Sequence, residues 1–360
     1  SYEFGTDFRF FNNRLGFDYT FFSRLRYDRL IEADISEASG AKKIITNTAE
    51  ELRQRGMEFT LTGKPIVTKE FQWESALNVA YWHWYYDKLD PVYSSQDPRI
   101  GVGERYDKYF FTDWETDHAG NIVHQAGLPV KNKYQSVIGY KDPKCILGWT
   151  NRFFYKGFDL SVSIDGRIGG VMYSWTEQAM WHSGVHPDSD NRWRYDEVVN
   201  GKQNYIGSGV KVVSGSASYD PYGKVLEDTR VFAPNDVPVS YQNYTMNYNE
   251  NPWDHDARQN IKNGSFLKLR EVALNYTLPA TIAQKLLMKK VRVGVIGQNL
   301  LMWTKEFKFS DPDRGKENLN TPTSRYVGFN IDLPFYVQIE YEEDIFYLID
   351  IFGVLLMWRF

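Results

Sequence analysis

The chain has a single cysteine, Cys145, in 360 residues, so no intrachain disulfide can form and a disulfide-stapled scaffold is excluded. No apolar run long enough to cross a bilayer as a helix interrupts its main body. The N-terminus carries neither an initiating methionine nor a signal-peptide pattern, which predicts a fragment or a processed product. Positive charge is not in excess: 42 Lys and Arg against 46 Asp and Glu leave a formal net charge of −4. With no basic stripe, nucleic-acid binding is disfavoured. An enzymatic constellation is also lacking. Cys145 opens an expected strand without an activating neighbour, so no catalytic residue and no cofactor is expected.

Aromatic residues, by contrast, are abundant. They make up 16% of the chain, with Tyr (25) and Phe (23) leading. Soluble domains rarely use aromatics so freely, whereas membrane barrels place them on outward faces and interfacial girdles. The mean hydropathy of −0.51 is compatible with a barrel, because a polar lumen and polar loops dilute the average.

These aromatics fall into strict alternation. In YEFGTDFRF, Tyr2, Phe4, Phe8 and Phe10 share one face and Glu3, Asp7 and Arg9 the other. Period-2 alternation of this kind marks a strand with one apolar and one polar side. About nine such strands can be counted along the chain. Met57, Phe59 and Leu61 oppose Glu58 and Thr60 in the third, and Phe71, Trp73, Leu77 and Val79 oppose Glu74 and Asn78 in the fourth. The fifth, near Cys145–Tyr155, separates its faces less cleanly. Phe158, Leu160 and Val162 oppose Asp159 and Asp165 in the sixth, and Leu274 and Tyr276 oppose Glu271 and Asn275 in the seventh. An eighth is expected near Val291–Trp303 and a ninth over Val327–Leu333. Several are long enough to cross a bilayer when tilted.

Connections between these strands alternate between short and long. Asn12-Asn13, Gly63-Lys64-Pro65, Tyr155-Lys156-Gly157 and a short amphipathic helix in Pro279–Lys290 make the short ones. The long ones cover about 30–49, 84–144, 170–264 and 304–322. Short periplasmic turns and long extracellular loops are the pattern of an outer-membrane barrel. The expected fold class is therefore all-β, a transmembrane antiparallel β-barrel. With short turns at the periplasmic side the strand count is odd, which predicts a C-terminal fragment of a larger barrel.

Five segments carry a resemblance to a family: ELRQRGMEFTLTGKPI (51–66), FFYKGFDLSVSIDGRIGG (153–170), GSFLKLREVALNYTLP (264–279), VRVGVIGQNLLMWTK (291–305) and SRYVGFNIDLPF (324–335). Together they resemble the C-terminal barrel of SusC/RagA-type TonB-dependent transporters, over residues 1–335. The resemblance implies a 22-stranded plugged barrel in the outer membrane of a Gram-negative bacterium. It also implies active import of large nutrients, oligosaccharide in preference to peptide, under a SusD-like lipoprotein lid. Energy would come from the TonB complex acting through an N-terminal plug region that these residues do not contain. Phe335 fits the terminal aromatic of such barrels, so 336–360 departs from the pattern. Three readings of it stand open: a genuine extension, an artefact, or a hydrophobic segment that packs elsewhere.

On this reading Glu58, Glu74, Asn78, Asp159, Asp165, Glu271 and Asn275 face the lumen, and Phe158, Leu160, Val162, Leu274 and Tyr276 face lipid. Trp175, Trp181, Trp193 and Tyr195, all in the longest loop, are the substrate-binding candidates, since flat rings stack on sugar faces. Packing of the loop on itself, or a surface that receives the lid, is the alternative for each of them and is favoured for any single residue. Trp82, Trp84, Tyr85 and Tyr86 are expected at the membrane rim. No metal site is expected: His182 and His186 lie in a Gly- and Pro-containing loop, and Asp254-His255-Asp256 and Asp311-Pro312-Asp313 would suit Ca²⁺ only as generic acidic turns. A secreted β-sandwich adhesion module and a passive porin are the alternatives. Outward Phe, Tyr and Leu argue against the first, and long loops with the family segments against the second.

Overall fold

The structure, a computed structural model, describes residues 1–249, 258–314, 323–334 and, for backbone, 354–359. Ten strands form one antiparallel sheet in which each pairs with its predecessor: β1 Tyr2–Phe10, β2 Leu15–Arg26, β3 Glu51–Val67, β4 Phe71–Lys88, β5 Cys145–Tyr155, β6 Phe158–Ile168, β7 Phe266–Thr277, β8 Arg292–Thr304, β9 Tyr326–Asp332 and β10 Val354–Arg359. The expected all-β barrel architecture holds, and the sheet is a stretch of barrel wall.

Turn chemistry explains the short connections. Lys156 and Gly157 have φ of 44° and 91°, so Tyr155 and Phe158 face each other across a two-residue turn with both central residues left-handed. Asn12 and Asn13 are left-handed as well, a conformation Asn tolerates better than most residues. Thr68 closes the β3–β4 turn, its Oγ1 donating to the Phe71 carbonyl and accepting from the Phe71 N–H. Between β7 and β8 lies the expected short helix, α1, Ala280–Lys285.

Register sets the faces, because residues directly opposite in an antiparallel ladder point the same way. One apolar stripe therefore runs sideways through the sheet. It passes from Phe8 through Phe17, Leu61, Leu77 and Trp149 to Ile164. Further round it joins Tyr155, Phe158, Tyr276, Val293 and Ile331. Much of this stripe is bare: Phe8 is 49% exposed, Phe158 45% and Phe329 56%. A continuous apolar surface of this extent is not left to water.

Asn151 is a polar residue on this stripe, and it accounts for the untidy fifth strand. It lies opposite Val162 and Ser75. Trp73 Nε1 donates to its Oδ1 at 3.0 Å, and Trp149 Nε1 donates to Ser75 Oγ at 2.9 Å. Each indole thus covers a polar atom with its ring while satisfying it. A bulge at Arg270 lets Leu269 and Val272, three residues apart, both reach the apolar side.

Two expectations are corrected. Segment 336–360 does not fall wholly outside the barrel pattern: Val354–Arg359 pairs antiparallel with β9 from Ile331↔Val354 to Tyr326↔Arg359. An unpaired strand edge recruits the next extended segment, and the count becomes even, so the parity argument fails. The second correction concerns the rim. β4 continues to Lys88, and Tyr86 is buried against Tyr106 of the following connection, with ring centroids 5.4 Å apart, instead of lying in a girdle.

At Gly166 of β6 the backbone of the neighbouring strand β7 approaches closely. A Cβ there would lie 2.4 Å from the Phe266 carbonyl oxygen and 2.6 Å from Leu267 Cδ2. Gly166→Ala is expected to destabilise the sheet by about 1–3 kcal/mol through overpacking, read as a lower urea midpoint in detergent. An unchanged midpoint would show that β6 and β7 have slack.

Candidate ligand-binding face at the long connections

All four long connections leave the same end of the sheet, and they fold on one another. The first makes a hairpin of Arg29–Asp34 with Lys43–Thr48, and the second a hairpin of Lys108–Trp114 with Lys131–Tyr140. The third holds α2 Trp175–His182, α3 Arg192–Asn200 and α4 Tyr241–Asn249. Its strand Val210–Ser214 runs parallel to Val123–Gln125 of the second connection, within a four-stranded sheet.

Charged groups fasten these pieces. Asp90 receives the Val92 and Tyr93 N–H groups on one oxygen, and the Ala49 N–H and the Thr48 hydroxyl on the other. It thereby joins the first connection to the second. The N–H bonds from Tyr93, Val92 and Ala49 hold its carboxyl down at about 2. Arg230 of the third connection forks onto Asp228 and also reaches Glu115 of the second. That fork brings the Asp228 carboxyl down to about 2 as well.

Aromatic side chains fill the centre. Tyr205 meets Tyr244 at 4.7 Å, Tyr241 at 5.2 Å and Trp193 at 5.8 Å, all edge-on, while Tyr248 stacks on Trp114 at 5.4 Å. Beneath them lies His124, whose Nδ1 pairs with the Ile122 carbonyl at 3.0 Å and whose Nε2 pairs with the Tyr244 hydroxyl at 3.2 Å. A neutral ring that donates from Nδ1 and accepts at Nε2 satisfies both, and burial pushes its pKa down. Against this cluster opens a cleft of about 490 Å³ lined by Trp181, Tyr205, Tyr241, Tyr244, Asn121 and Asn249 among others. Trp181 also walls a second hollow of about 280 Å³ with Arg194 and Glu197.

The four expected substrate residues are not gathered in one place. Trp181 lines both hollows and stacks on His186 at 4.1 Å. Trp193 packs into the tyrosine cluster, and Trp175 packs on Tyr173 at 4.9 Å. Tyr195 stands 60% exposed on α3. Sequence reasoning missed Tyr241, Tyr244 and Tyr248, although their i, i+3, i+7 spacing marks one helix face.

The polar side of the sheet is largely paired. Asn78 accepts from the Thr60 hydroxyl at 2.8 Å, and Glu74 pairs with Lys64 at 2.8 Å. Asp159 pairs with Arg292 at 2.7 Å, Glu271 accepts from Gln298 and Asn275 from Asn330. Glu58 lies exposed opposite Thr20. At the loop end Asp165 holds Arg270, which also binds Asp313.

Asp311 and Asp313 do not present an open acidic turn to Ca²⁺. The Lys268 ammonium, 2% exposed, sits between them at 2.6 and 2.9 Å, so a protein cation already fills the position. Burial acts to raise both carboxyls, but the hydrogen bonds from Lys268, Thr323 and Arg270 outweigh it and hold them below the usual range. His186 is buried against Trp181 and Phe309, whereas His182 ends α2. The Asp254-His255-Asp256 candidate lies outside the described residues.

An antiparallel wall with a bare apolar stripe on one face, a polar opposite face and the four long connections between β2 and β9 at one end fits a membrane-barrel architecture. Comparison with known proteins narrows the class. No protein-family model matches the sequence. The chain is 21% identical to "TonB-dependent receptor P3" of Formosa agariphila over 354 residues, covering 89% of this chain and 31% of the relative. It is 26% identical to "TonB-dependent receptor SusC" of Bacteroides thetaiotaomicron over 192 residues, or 47% of this chain and 19% of the relative. Among solved structures, the RagAB peptide transporter aligns over 92% of this chain and 34% of its own, with a TM-score of 0.59 at 18% identity. The closed-closed RagAB peptide importer aligns with a TM-score of 0.61 at 18% identity over 92% and 35%. The chain thus spans about a third of the length of the first of these relatives. The resemblance drawn from the sequence holds: the chain is similar to SusC and to a second TonB-dependent receptor, and its fold matches the barrel wall of the RagAB structures.

Two tests follow from the charges. Lys268→Ala leaves the buried Asp311 carboxylate without a cation while Asp313 keeps Arg270, a change that costs about 3–5 kcal/mol; earlier proteolytic cutting within 305–325 is the expected readout, and unchanged cutting would show that the pairs hold nothing. Because the folded pKa of Asp90 is depressed, its contribution is fully present above the ordinary carboxylate value of 3.8 and is lost as pH falls towards about 2. Hydrogen exchange at 48–50 and 92–94 should accelerate across that window, and Asp90→Asn should abolish the pH step.

Proposed function

We propose that this chain forms wall and outer loops of a TonB-dependent active importer in the outer membrane of a Gram-negative bacterium. The observation that carries this reading is the bare apolar stripe: it runs through nine fully described strands opposite a paired, polar face, as lipid on one side and a wet lumen on the other require. Phe158, Leu160, Val162, Leu274 and Tyr276 face lipid. Glu58, Glu74, Asn78, Asp159, Asp165, Glu271 and Asn275 face the lumen, where a plug moves against them. The relatives, named as receptors and transporters, support import without covalent chemistry.

Ligand is captured at the loop face. Trp181 offers a ring beside Tyr205, Tyr241 and Tyr244, with Asn121 and Asn249 supplying directional hydrogen bonds, a mixture suited to an oligosaccharide. A peptide is the second reading, favoured by the structural likeness to RagAB, itself described as a peptide transporter. A SusD-like lipoprotein closes over the loops, and TonB supplies energy through a plug region. Residues 1–335 and their loops, together with the wall strand Val354–Arg359, form the barrel portion.

Uptake of labelled oligosaccharides and of labelled peptides by cells with and without the gene, in TonB-competent and TonB-deficient backgrounds, tests the reading. Loss of uptake of one class in both deficient strains is expected, and uptake that survives loss of TonB would leave a passive pore. Trp181→Ala should weaken binding of the imported ligand by about tenfold, equivalent to about 1.4 kcal/mol, with the barrel still folded. Unchanged affinity would remove the cleft from the ligand's path.

A further inference from the structure

One buried cluster beside the loop face has no part in ligand capture. His83 of β4 is 2% exposed, Asp107 is 6% exposed, and Asp142 is half-buried. A ring nitrogen of His83 and one carboxylate oxygen from each Asp lie within 4.8 Å of one another. His83 Nδ1 is fully buried without a hydrogen-bond partner, a situation that costs free energy unless a ligand satisfies it.

The backbone holds the three in place. Residues 103–106 run along β4: Tyr86 N–H donates to the Glu104 carbonyl at 3.0 Å and Tyr106 N–H to the Trp84 carbonyl at 2.9 Å. Asp107 is thereby set beside His83. Lys141 N–H donates to the Asp107 carbonyl and Asp142 N–H to Asp107 Oδ2, each at 2.9 Å, which brings in the turn before β5. Arg105 forks onto Asp107 at 2.8 and 2.6 Å and fixes its plane. Even so, the two carboxylates outnumber this one guanidinium, and Asp107 Oδ1 keeps a lone pair that Arg105 does not use.

We propose that His83, Asp107 and Asp142 bind a divalent transition cation of the Zn²⁺ class, which ties the 103–107 and 141–144 segments to the barrel wall. An imidazole in the donor set favours such a cation over Ca²⁺ or Mg²⁺, which take oxygen ligands. At about 2.0–2.2 Å from each donor, the cation would hold the three within about 4.4 Å of one another, a short side-chain rotation from their present places. Arg105 then acts as the outer partner that orients one ligand. No spacing motif betrays the set, because positions 83, 107 and 142 meet only through the fold.

The test uses the complete natural protein in detergent, stripped with EDTA and titrated with Zn²⁺ by calorimetry, with bound metal counted by elemental analysis. Binding at micromolar or tighter affinity is expected. His83→Gln and Asp142→Asn should each weaken it at least about tenfold while the barrel's heat-modifiable migration is unchanged. Should His83→Gln fail to fold, Asp142→Asn in the turn carries the comparison alone. No binding at about 100 µM Zn²⁺, or binding that both folded variants retain, overturns the proposal. So does protection of 103–144 from protease that neither EDTA nor Zn²⁺ alters, which would mean that a proton shared with a carboxylate satisfies His83.

Discussion

Everything in this chain depends on an unbroken antiparallel ladder. In a hydrocarbon environment no water is available to backbone N–H and C=O groups, and a strand survives there only when both edges are paired. From β1 to β10 each strand meets its predecessor along most of its length. Once the ladder is fixed, so are the faces, because a one-residue slip would move every ring of the apolar stripe to the polar side. Departures from strict register are confined to bulges, as at Arg270, where an added residue brings a charge to the loop end without disturbing the stripe.

What the ladder does for backbone, tryptophans do for the few polar side chains on the outer stripe. Trp73 and Trp149 turn their indole N–H groups onto Asn151 and Ser75, so the groups that would be most costly in lipid are paired and covered. Beyond the ends of the strands the physics changes. Water competes for hydrogen bonds, and beside the tyrosine cluster order rests on buried charge: Lys268 between two aspartates, Arg230 between Asp228 and Glu115, Asp90 under four donors. These groups join connections that are far apart in sequence, which is why the long connections form a single face.

That division also explains what could be read from the sequence. The strands were legible because alternation is local: Phe158, Leu160 and Val162 declare their common face without reference to any partner. Short turns were legible for the same reason, through Lys156-Gly157 and Asn12-Asn13. The loop face was not. Tyr205 and Tyr241 approach through a sheet that borrows a strand from the preceding connection, and His83 finds Asp107 and Asp142 only through backbone pairing across three segments. Nothing in LKLREV pairs Lys268 with Asp311-Pro312-Asp313, which reads as a generic acidic turn until the fold places the lysine inside it. Val354–Arg359 was obscured by the unpatterned stretch before it; its place follows from the edge that β9 offers.

Wall and loops therefore answer to separate constraints. The wall needs only a period, and many sequences supply one, so an identity near a fifth still gives a recognisable barrel. On the proposed reading the cleft needs particular side chains at particular places: Trp181, Tyr205, Tyr241, Asn121 and Asn249, which line it. All of these come from connections whose length and composition the ladder does not restrict, since loops that leave the bilayer can satisfy their backbone with water. A change of cargo on the proposed reading thus requires no change in the strands. The same freedom has a cost in order, because connections free to vary must be tied back to the wall by contacts of their own. Buried charges such as Lys268 and Asp90, placed where a strand ends or a connection begins, are where that tie is made.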